Sequence, residues 1–125
     1  ASPTPGTLGA VVLGNLRAAG FAGPLHLVNP RHASIGPDPC YVSVRALPSV
    51  PELAIVVAPA TAVPGIVTEL GEAGIRAAIV MSAGFREAGP AGQALERDLL
   101  DRARRHGVRL LGPNCLGVIR TDIGF

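Results

Sequence analysis

One of the two cysteines in this sequence, Cys115, stands in a segment that could carry chemistry, "RLLGPNCLGVI" at 109–119. A nucleophilic cysteine needs a base and an orienting group nearby. The three histidines, His26, His32 and His106, are instead predicted in a strand, an early loop and the end of a helix. A metal site needs several ligands, and this segment supplies one. The pattern therefore argues against a catalytic residue or a metal site, and favours a small residue beside a ligand or in the core.

The charges of the first third of the sequence point to an anion. All eleven cationic side chains are Arg, which excludes mechanisms that need a lysine, such as Schiff-base formation. The first acidic residue is Asp38, and the 37 residues before it contain Arg17, Arg31, His26 and His32. A solvated surface normally mixes both signs of charge, so this region is a candidate anion-binding site.

Apolar segments that alternate between helix and strand must position these residues. We predict helices at 8–19, 63–73 and 90–106, and strands at 24–29, 52–59, 77–82 and 108–112. Residues 31–50 are predicted as a loop, with "CYVSV" as a short strand or turn and "SVRAL" as one helical turn. The alternation predicts an α/β fold, a doubly wound parallel sheet with helices on both faces. In such sheets, ligands bind at the carboxyl ends of the strands.

The helix at 90–106 has the clearest amphipathic pattern. We expect three of its residues to face the core: Leu95, Leu99 and Ala103. We also expect two ion pairs on its outer face, Asp98–Arg102 and Asp101–Arg105. Both place the acid four residues before the base, which is the favourable orientation on a helix.

The loops at the strand ends are the candidate binding segments. The opening "ASPTPGTLG" leads into the first helix, with Thr7 as its candidate N-cap and no acid in the first turn. That helix N-terminus could hold a pyrophosphate. In "VNPRH" at 28–32, Arg31 stands where NAD-binding domains usually carry an acid. Arginine suits a ribose phosphate, at the 2′ position of NADP or the 3′ position of coenzyme A, although it could also be an ordinary surface residue.

Two further loops contain mainly small or apolar residues. The run Ala-Pro-Ala at 58–60 could form a flat wall for adenine, or it could only turn the chain into the next helix. The run Ser-Ala-Gly at 82–84 would let a ligand lie close to the backbone. Both runs are therefore candidate ligand contacts.

Four motifs occur in a characteristic order and spacing: "NPR", "AP", "SAGF.E.G" and "RLLGPNCLGV". In this respect the chain resembles the coenzyme A-binding domain of NDP-forming acyl-CoA synthetases, and more distantly the α subunit of succinyl-CoA synthetase. The same domain opens bacterial proteins with a fused lysine acetyltransferase domain. The resemblance covers essentially the whole chain and implies a Rossmann-like fold for one domain at 1–125. The family's first strand, ending in "V-x-G-A-S", is reduced here to "AS", so we expect a fragment that lacks this central strand.

The resemblance also implies binding residues. It assigns the pyrophosphate loop to Ser2, Gly6, Thr7 and Leu8. It assigns the 3′-phosphate to the loop of Asn29, Pro30, Arg31 and His32, with Arg31 or His32 as the cation. It assigns the adenine wall to Ala58 and Pro59, the pantetheine path to Ser82, Ala83 and Gly84, and the surroundings of the thiol to Asn114 and Cys115. Cys115 would line the site without attacking, because the family's chemistry uses a phosphorylated histidine of another domain.

We therefore expect a domain that binds coenzyme A or acyl-CoA and is not catalytic alone. The parent reaction would convert acyl-CoA, NDP and phosphate into acid, coenzyme A and NTP. Three alternatives stay open: a regulatory domain of a lysine acetyltransferase, an NADP-binding oxidoreductase domain, and a ligand-free scaffold. The absence of a dinucleotide fingerprint disfavours the second.

The expected partners follow from the same reasoning. They are the small-molecule ligand, other domains of the same polypeptide and, as a further candidate, a second copy in a homo-oligomer. We expect no nucleic acid partner, because the sequence has no aromatic platform. We expect no membrane span, because Pro or charge interrupts every apolar run. Two cysteines without a disulfide pattern favour a cytoplasmic location.

Overall fold

The computed structural model describes residues 1–119, which divide into two units. The first unit comprises residues 1–48 with 118–119, and the second unit comprises residues 49–117. Each unit has its own strands and helix or helices, and each carries part of the predicted binding residues. Over the described residues, no helix is both long enough and apolar enough to cross a membrane.

The first unit is built from one helix and three short strands. These are α1 (Leu8–Ala18), β1 (Leu27–Val28), β2 (Ser34–Ile35) and β3 (Asp38–Tyr41), followed by a 3₁₀ turn at Val44–Ala46. β3 pairs in parallel with β1 and antiparallel with β2. A small core joins the helix to all three strands through Leu13, Leu27, Ile35 and Cys40. The first predicted helix and strand are confirmed, although the strand is shorter than predicted.

The prediction of a loop over 31–50 is wrong in part, because this segment contains β2 and β3. β3 spans Asp38–Tyr41, so it begins and ends earlier in the sequence than the strand considered for "CYVSV". β2 and β3 form a hairpin around Gly36, whose φ of 63° suits a tight turn. The sequence did not predict this hairpin because it contains Pro37 and Pro39, and proline normally argues against a central strand. The helical turn in "SVRAL" is confirmed.

The second unit alternates strands and helices. Its elements are β4 (Ala54–Val56), α2 (Val63–Glu72), β5 (Ala77–Val80), α3 (Pro90–His106) and β6 (Arg109–Leu111), with 3₁₀ turns at Ala60–Ala62 and Arg86–Ala88. The three strands are parallel in the order β4-β5-β6. Because both crossovers run in the same direction along this sheet, right-handed connections place α2 and α3 on one face, where they pack against each other. The predicted α/β alternation with parallel strands is confirmed.

Aliphatic side chains form the core of the second unit. The largest fully buried residues are Phe85, Ile75, Leu99, Val63, Val67 and Val80. On α3, Leu99 and Ala103 are buried as predicted, and Leu95 is half-buried. β5 is buried on both faces, whereas β4 is an edge strand of this sheet and is only partly buried.

One of the two predicted ion pairs on α3 is confirmed. The Arg102 Nε lies 2.9 Å from an Asp98 carboxylate oxygen. The Asp101–Arg105 prediction is wrong, because Asp101 pairs instead with Arg104, at 3.2 Å. Residues three and four positions apart are both neighbours on a helix surface, and sequence alone does not choose between them.

A single guanidinium joins the carboxyl ends of α2 and α3. The Arg76 side chain donates hydrogen bonds to the carbonyl oxygens of Gly71, at 3.1 Å, and His106, at 2.7 Å. These oxygens belong to the last turns of the two helices, where carbonyl groups lack partners within the helix and carry partial negative charge. Gly71 also lets the helices approach closely, because a Cβ at this position would overlap the Cβ of His106.

We predict that Arg76→Ala lowers the free energy of unfolding by about 1–3 kcal/mol, because two helix-terminal carbonyl groups lose a charged donor. Urea denaturation monitored by circular dichroism measures the change. The control is Arg109→Ala, which removes an exposed arginine with no side-chain partner among residues 1–119 and should cost less than about 0.5 kcal/mol. Equal losses in the two variants would contradict the proposed contribution of Arg76.

Candidate ligand-binding loops

Ser82 connects the three loops that follow the strands of the second unit. Its hydroxyl accepts a hydrogen bond from the Ala58 N–H, at 3.1 Å, in the loop after β4. Its carbonyl oxygen accepts one from the Asn114 N–H, at 3.0 Å, in the loop after β6. Ser82 itself is only 7% exposed. Three residues predicted from separate motifs are therefore held together at the carboxyl edge of the sheet.

The loops after β4 and β5 approach each other closely at Gly84. The φ of Gly84 is 106°, a left-handed value that favours glycine, and a Cβ there would lie 3.0 Å from the Cβ of Ala60. Pro59 and Ala83 are exposed beside this contact. This edge of the second unit therefore presents small side chains and backbone, as the sequence predicted.

Cys115 lies against the backbone at the ends of β5 and β6. Its Sγ is 3.4 Å from the Val80 carbonyl oxygen and 3.7 Å from that of Leu111. Gly112 makes this approach possible, because a Cβ there would overlap the same Val80 oxygen. Within residues 1–119, the only hydrogen-bond partners of the thiol are these carbonyls, neither of which can act as a base. The geometry therefore agrees with Cys115 as a lining residue.

The opening segment of the first unit folds into a turn before α1. The Ser2 hydroxyl accepts a hydrogen bond from the Thr4 N–H, at 3.2 Å. Thr7 occupies the N-cap position, but its hydroxyl donates to the Thr4 carbonyl, at 2.7 Å, and does not cap the helix. Gly6 has a φ of 76°, and Leu8 is 43% exposed. The N–H groups of the first turn of α1 are therefore not capped by any side chain of the described chain.

Asn29 joins the opening segment to the loop after β1. Its side-chain amide donates to the Ala1 carbonyl, at 2.8 Å, and its side-chain oxygen accepts from the Arg31 N–H, at 2.8 Å. Pro30, Arg31 and His32 are exposed beyond it. Asn29 therefore supports two loops of the first unit that were predicted to contact phosphates.

The predicted anion-binding region has fewer available cations than the sequence indicated. Arg17 forms an ion pair with Asp38, the first acid of the chain. His26 packs edge-to-face against Tyr41, with ring centroids 6.1 Å apart. The Arg31 guanidinium has no ion-pair partner among residues 1–119. Arg31 is therefore the exposed guanidinium of this loop, and the His32 side chain is exposed beside it.

Sequence reasoning missed two carboxylates beside the loop after β5. A Glu87 oxygen accepts hydrogen bonds from the backbone N–H groups of Gly84, at 2.6 Å, and Phe85, at 3.2 Å. Glu96 accepts from the Arg86 N–H, at 3.1 Å, and from its Nε, at 2.8 Å. The "F.E" spacing was present in the motif, but spacing alone does not show that a carboxylate turns back onto the chain.

These contacts lower the pKa of both carboxyl groups. For Glu87, the main cause is the hydrogen bond from the Gly84 N–H. For Glu96, it is the hydrogen bond from the Arg86 side chain, which outweighs the opposing effect of burial on the pKa. A lowered pKa in the folded state means that the ionised group stabilises the fold above its unfolded pKa. This contribution is lost as the pH falls through the lowered value.

Comparison with known proteins identifies the family of this chain. Residues 1–121 match the family of CoA binding domains. This chain belongs to that family. The match confirms the resemblance drawn from the motifs, and it favours coenzyme A over NADP as the ligand of this CoA-binding domain.

Three proteins illustrate its relatives. The chain is 48% identical over 125 residues to ADP-forming acetate–CoA ligase I of Archaeoglobus fulgidus, covering 100% of this chain and 18% of the ligase. It is 39% identical over 125 residues to ligase II of the same organism, covering 100% of this chain and 19% of that protein. The structure of acetyl-coenzyme A synthetase 1 from Ca. Korarchaeum cryptofilum matches with a TM-score of 0.93 and 33% identity, over 99% of this chain and 26% of that one.

The comparisons confirm the Rossmann-like α/β class predicted for this CoA-binding domain. They also show that the chain spans less than a fifth of the length of the two archaeal ligases. The chain thus corresponds to one part of these much longer relatives.

We predict that Ser82→Ala lowers the free energy of unfolding by about 1–3 kcal/mol, because the Ala58 N–H loses its acceptor in a partly buried position. Urea denaturation gives the value. Thr61→Ala is the control, since this exposed hydroxyl lies in the neighbouring 3₁₀ turn and has no hydrogen-bond partner in the described chain. An unchanged stability for Ser82→Ala would mean that its hydroxyl does not hold the loops together.

Proposed function

We propose that this CoA-binding domain serves an NDP-forming acyl-CoA synthetase, where it holds coenzyme A while other domains activate the acyl group. The match of residues 1–121 to the family carries this proposal, and the named relatives, which are ligases or a synthetase, support it. Coenzyme A supplies the thiol that carries the acyl group. The residues of this chain bind and orient it, and none of them acts as a catalyst.

The first unit is proposed to bind the phosphate groups. An uncapped helix N-terminus suits a pyrophosphate, and an exposed arginine with no acidic partner among residues 1–119 suits a phosphate monoester. The proposed pyrophosphate contacts are Ser2, Gly6, Thr7 and Leu8. The proposed 3′-phosphate contacts are Arg31 and His32, on the loop that also contains Asn29 and Pro30. The chemistry of these groups fits coenzyme A.

The second unit is proposed to bind the uncharged parts of coenzyme A. Its strand-end loops expose small side chains and backbone, which fit a flat base and a slender pantetheine arm. The proposed adenine contacts are Ala58 and Pro59. The proposed pantetheine contacts are Ser82, Ala83 and Gly84, and Asn114 and Cys115 are proposed to lie near the thiol.

The alternatives are less well supported. None of the three relatives named above is an acetyltransferase, and the family match disfavours both an NADP-binding oxidoreductase and a ligand-free scaffold. A single domain over 1–125, other domains in the same polypeptide and a homo-oligomer stay predictions. So does a cytoplasmic location, with which two free thiols agree.

The first test is calorimetric titration of the complete gene product with coenzyme A, acetyl-CoA, NADPH and ATP. We expect coenzyme A or acetyl-CoA to bind and NADPH to give no heat of binding. ATP serves as the control for adenine and phosphates without pantetheine, and a response to it would indicate a nucleotide site on another domain. Binding of NADPH alone would reject the proposed ligand, and no binding of any compound would favour a scaffold.

The second test concerns the 3′-phosphate. We expect Arg31→Ala to weaken coenzyme A binding by about 1–3 kcal/mol, which is typical for a charge-assisted hydrogen bond, and to change dephospho-coenzyme A binding far less. Arg97→Ala is the charge-matched control, because it removes an exposed arginine of α3 outside the proposed loops. Equal losses for both ligands would reject the assignment of Arg31 to the 3′-phosphate.

A further inference from the structure

Three consecutive backbone N–H groups in the loop after β5 are bonded to carboxylates. Those of Gly84 and Phe85 donate to Glu87, and that of Arg86 donates to Glu96. Successive N–H groups that converge in this way commonly bind anions. Here the chain's own carboxylates occupy them, so these donors are not available to a ligand.

From Gly84 to Arg86 the loop therefore has no free backbone N–H, and its available backbone groups include acceptors. The Ser82 carbonyl accepts from Asn114, and the Phe85 carbonyl accepts from the Ala88 N–H, at 2.8 Å. Within residues 1–119, no hydrogen bond reaches the carbonyl oxygens between them, those of Ala83 and Gly84. Two adjacent carbonyl groups without a partner suit amide N–H donors and do not suit anions.

Glu87 is the group that sets this arrangement at Gly84. On one side the loop is anchored by the buried Ser82, and on the other by Phe85, which is fully buried and packs so closely on Gly92 that a Cβ there would overlap its carbonyl oxygen. Gly84 lies between the two anchors with a left-handed φ. Among the described residues, its N–H is held only by Glu87.

We propose that Glu87 is a positioning residue for coenzyme A. Its carboxylate holds the N–H groups of Gly84 and Phe85, so that the carbonyl oxygens of Ala83 and Gly84 accept hydrogen bonds from the amide N–H groups of the pantetheine arm. The proposal rests on the proposed function, since it assumes that coenzyme A is the ligand. It assigns Glu87 an effect on one part of that ligand without contact to it.

Glu96 has a different role. It is buried, it pairs with the Arg86 side chain, and it holds the start of the 3₁₀ turn against α3. We therefore attribute to Glu96 the support of the fold, whereas Glu87 is exposed and bonds to the segment proposed to contact the pantetheine arm. Substitution of Glu87 should therefore change ligand binding, whereas substitution of Glu96 should lower the stability of the fold.

The test compares Glu87→Ala and Glu87→Gln in the complete gene product. Calorimetry measures binding of coenzyme A and of adenosine 3′,5′-bisphosphate, which has the ribose 3′-phosphate and adenine but no pantetheine. We expect Glu87→Ala to raise the Kd for coenzyme A about tenfold, the effect of losing one or two neutral hydrogen bonds between the pantetheine amides and the loop, with no change for the bisphosphate. Glu87→Gln keeps an acceptor oxygen, so it should stay within about threefold of wild type.

Two controls complete the experiment. Glu52→Ala removes an exposed carboxylate before β4, at the opposite end of that strand, and should bind both compounds like wild type. Formate added to Glu87→Ala should restore coenzyme A binding in part, because a small carboxylate can occupy the two vacated N–H groups. Formate should have no effect on wild type.

The contrary outcomes are distinct. Wild-type affinity for coenzyme A in Glu87→Ala would overturn the role of Glu87 and leave the proposed function intact. Equal weakening of coenzyme A and the bisphosphate, without rescue by formate, would show that Glu87 only maintains the fold, which also overturns the proposal. Failure of the wild type to bind coenzyme A would reject the proposed function and this inference with it.

Discussion

The buried hydroxyl of Ser82 is the contact on which the candidate binding loops of the second unit depend. Parallel strands leave unpaired N–H and carbonyl groups where they end, and such groups are costly when they are buried without a partner. Ser82 provides an acceptor for the loop after β4 and, through its backbone, a partner for the loop after β6. The residues proposed to meet the pantetheine arm are therefore fixed by the protein before any ligand arrives.

The alternation of helices and strands in the second unit could be predicted from the sequence because its strands are dense blocks of Val, Ile, Leu or Ala and its helices repeat such residues at helical spacing. Strand lengths could not. The apolar run at 52–59 predicted a long strand, but only Ala54–Val56 pairs with a neighbour. The remaining apolar residues continue into the loop, because an apolar side chain indicates burial or contact and does not indicate hydrogen bonding between strands.

The candidate binding residues were found through motifs, whereas their orientations depend on contacts between distant segments. The sequence indicated that Arg17 could bind an anion, but in the fold it pairs with Asp38, 21 residues later. The Thr7 hydroxyl and the Glu87 carboxylate instead bond to backbone groups only three residues away, and spacing alone does not select these partners. A polar side chain has several local partners within reach, and tertiary structure decides which of them it meets.

Gly112 has a consequence for how the loop after β6 can diversify. Because the Val80 carbonyl occupies the space where a Cβ would stand, any side chain at this position would push the end of β6 away from the central strand. The four residues that follow it are exposed or half-buried and have more room to vary. An engineer who wishes to reshape the proposed surroundings of the coenzyme A thiol by exchanging this loop between relatives should therefore start the exchanged segment after Gly112.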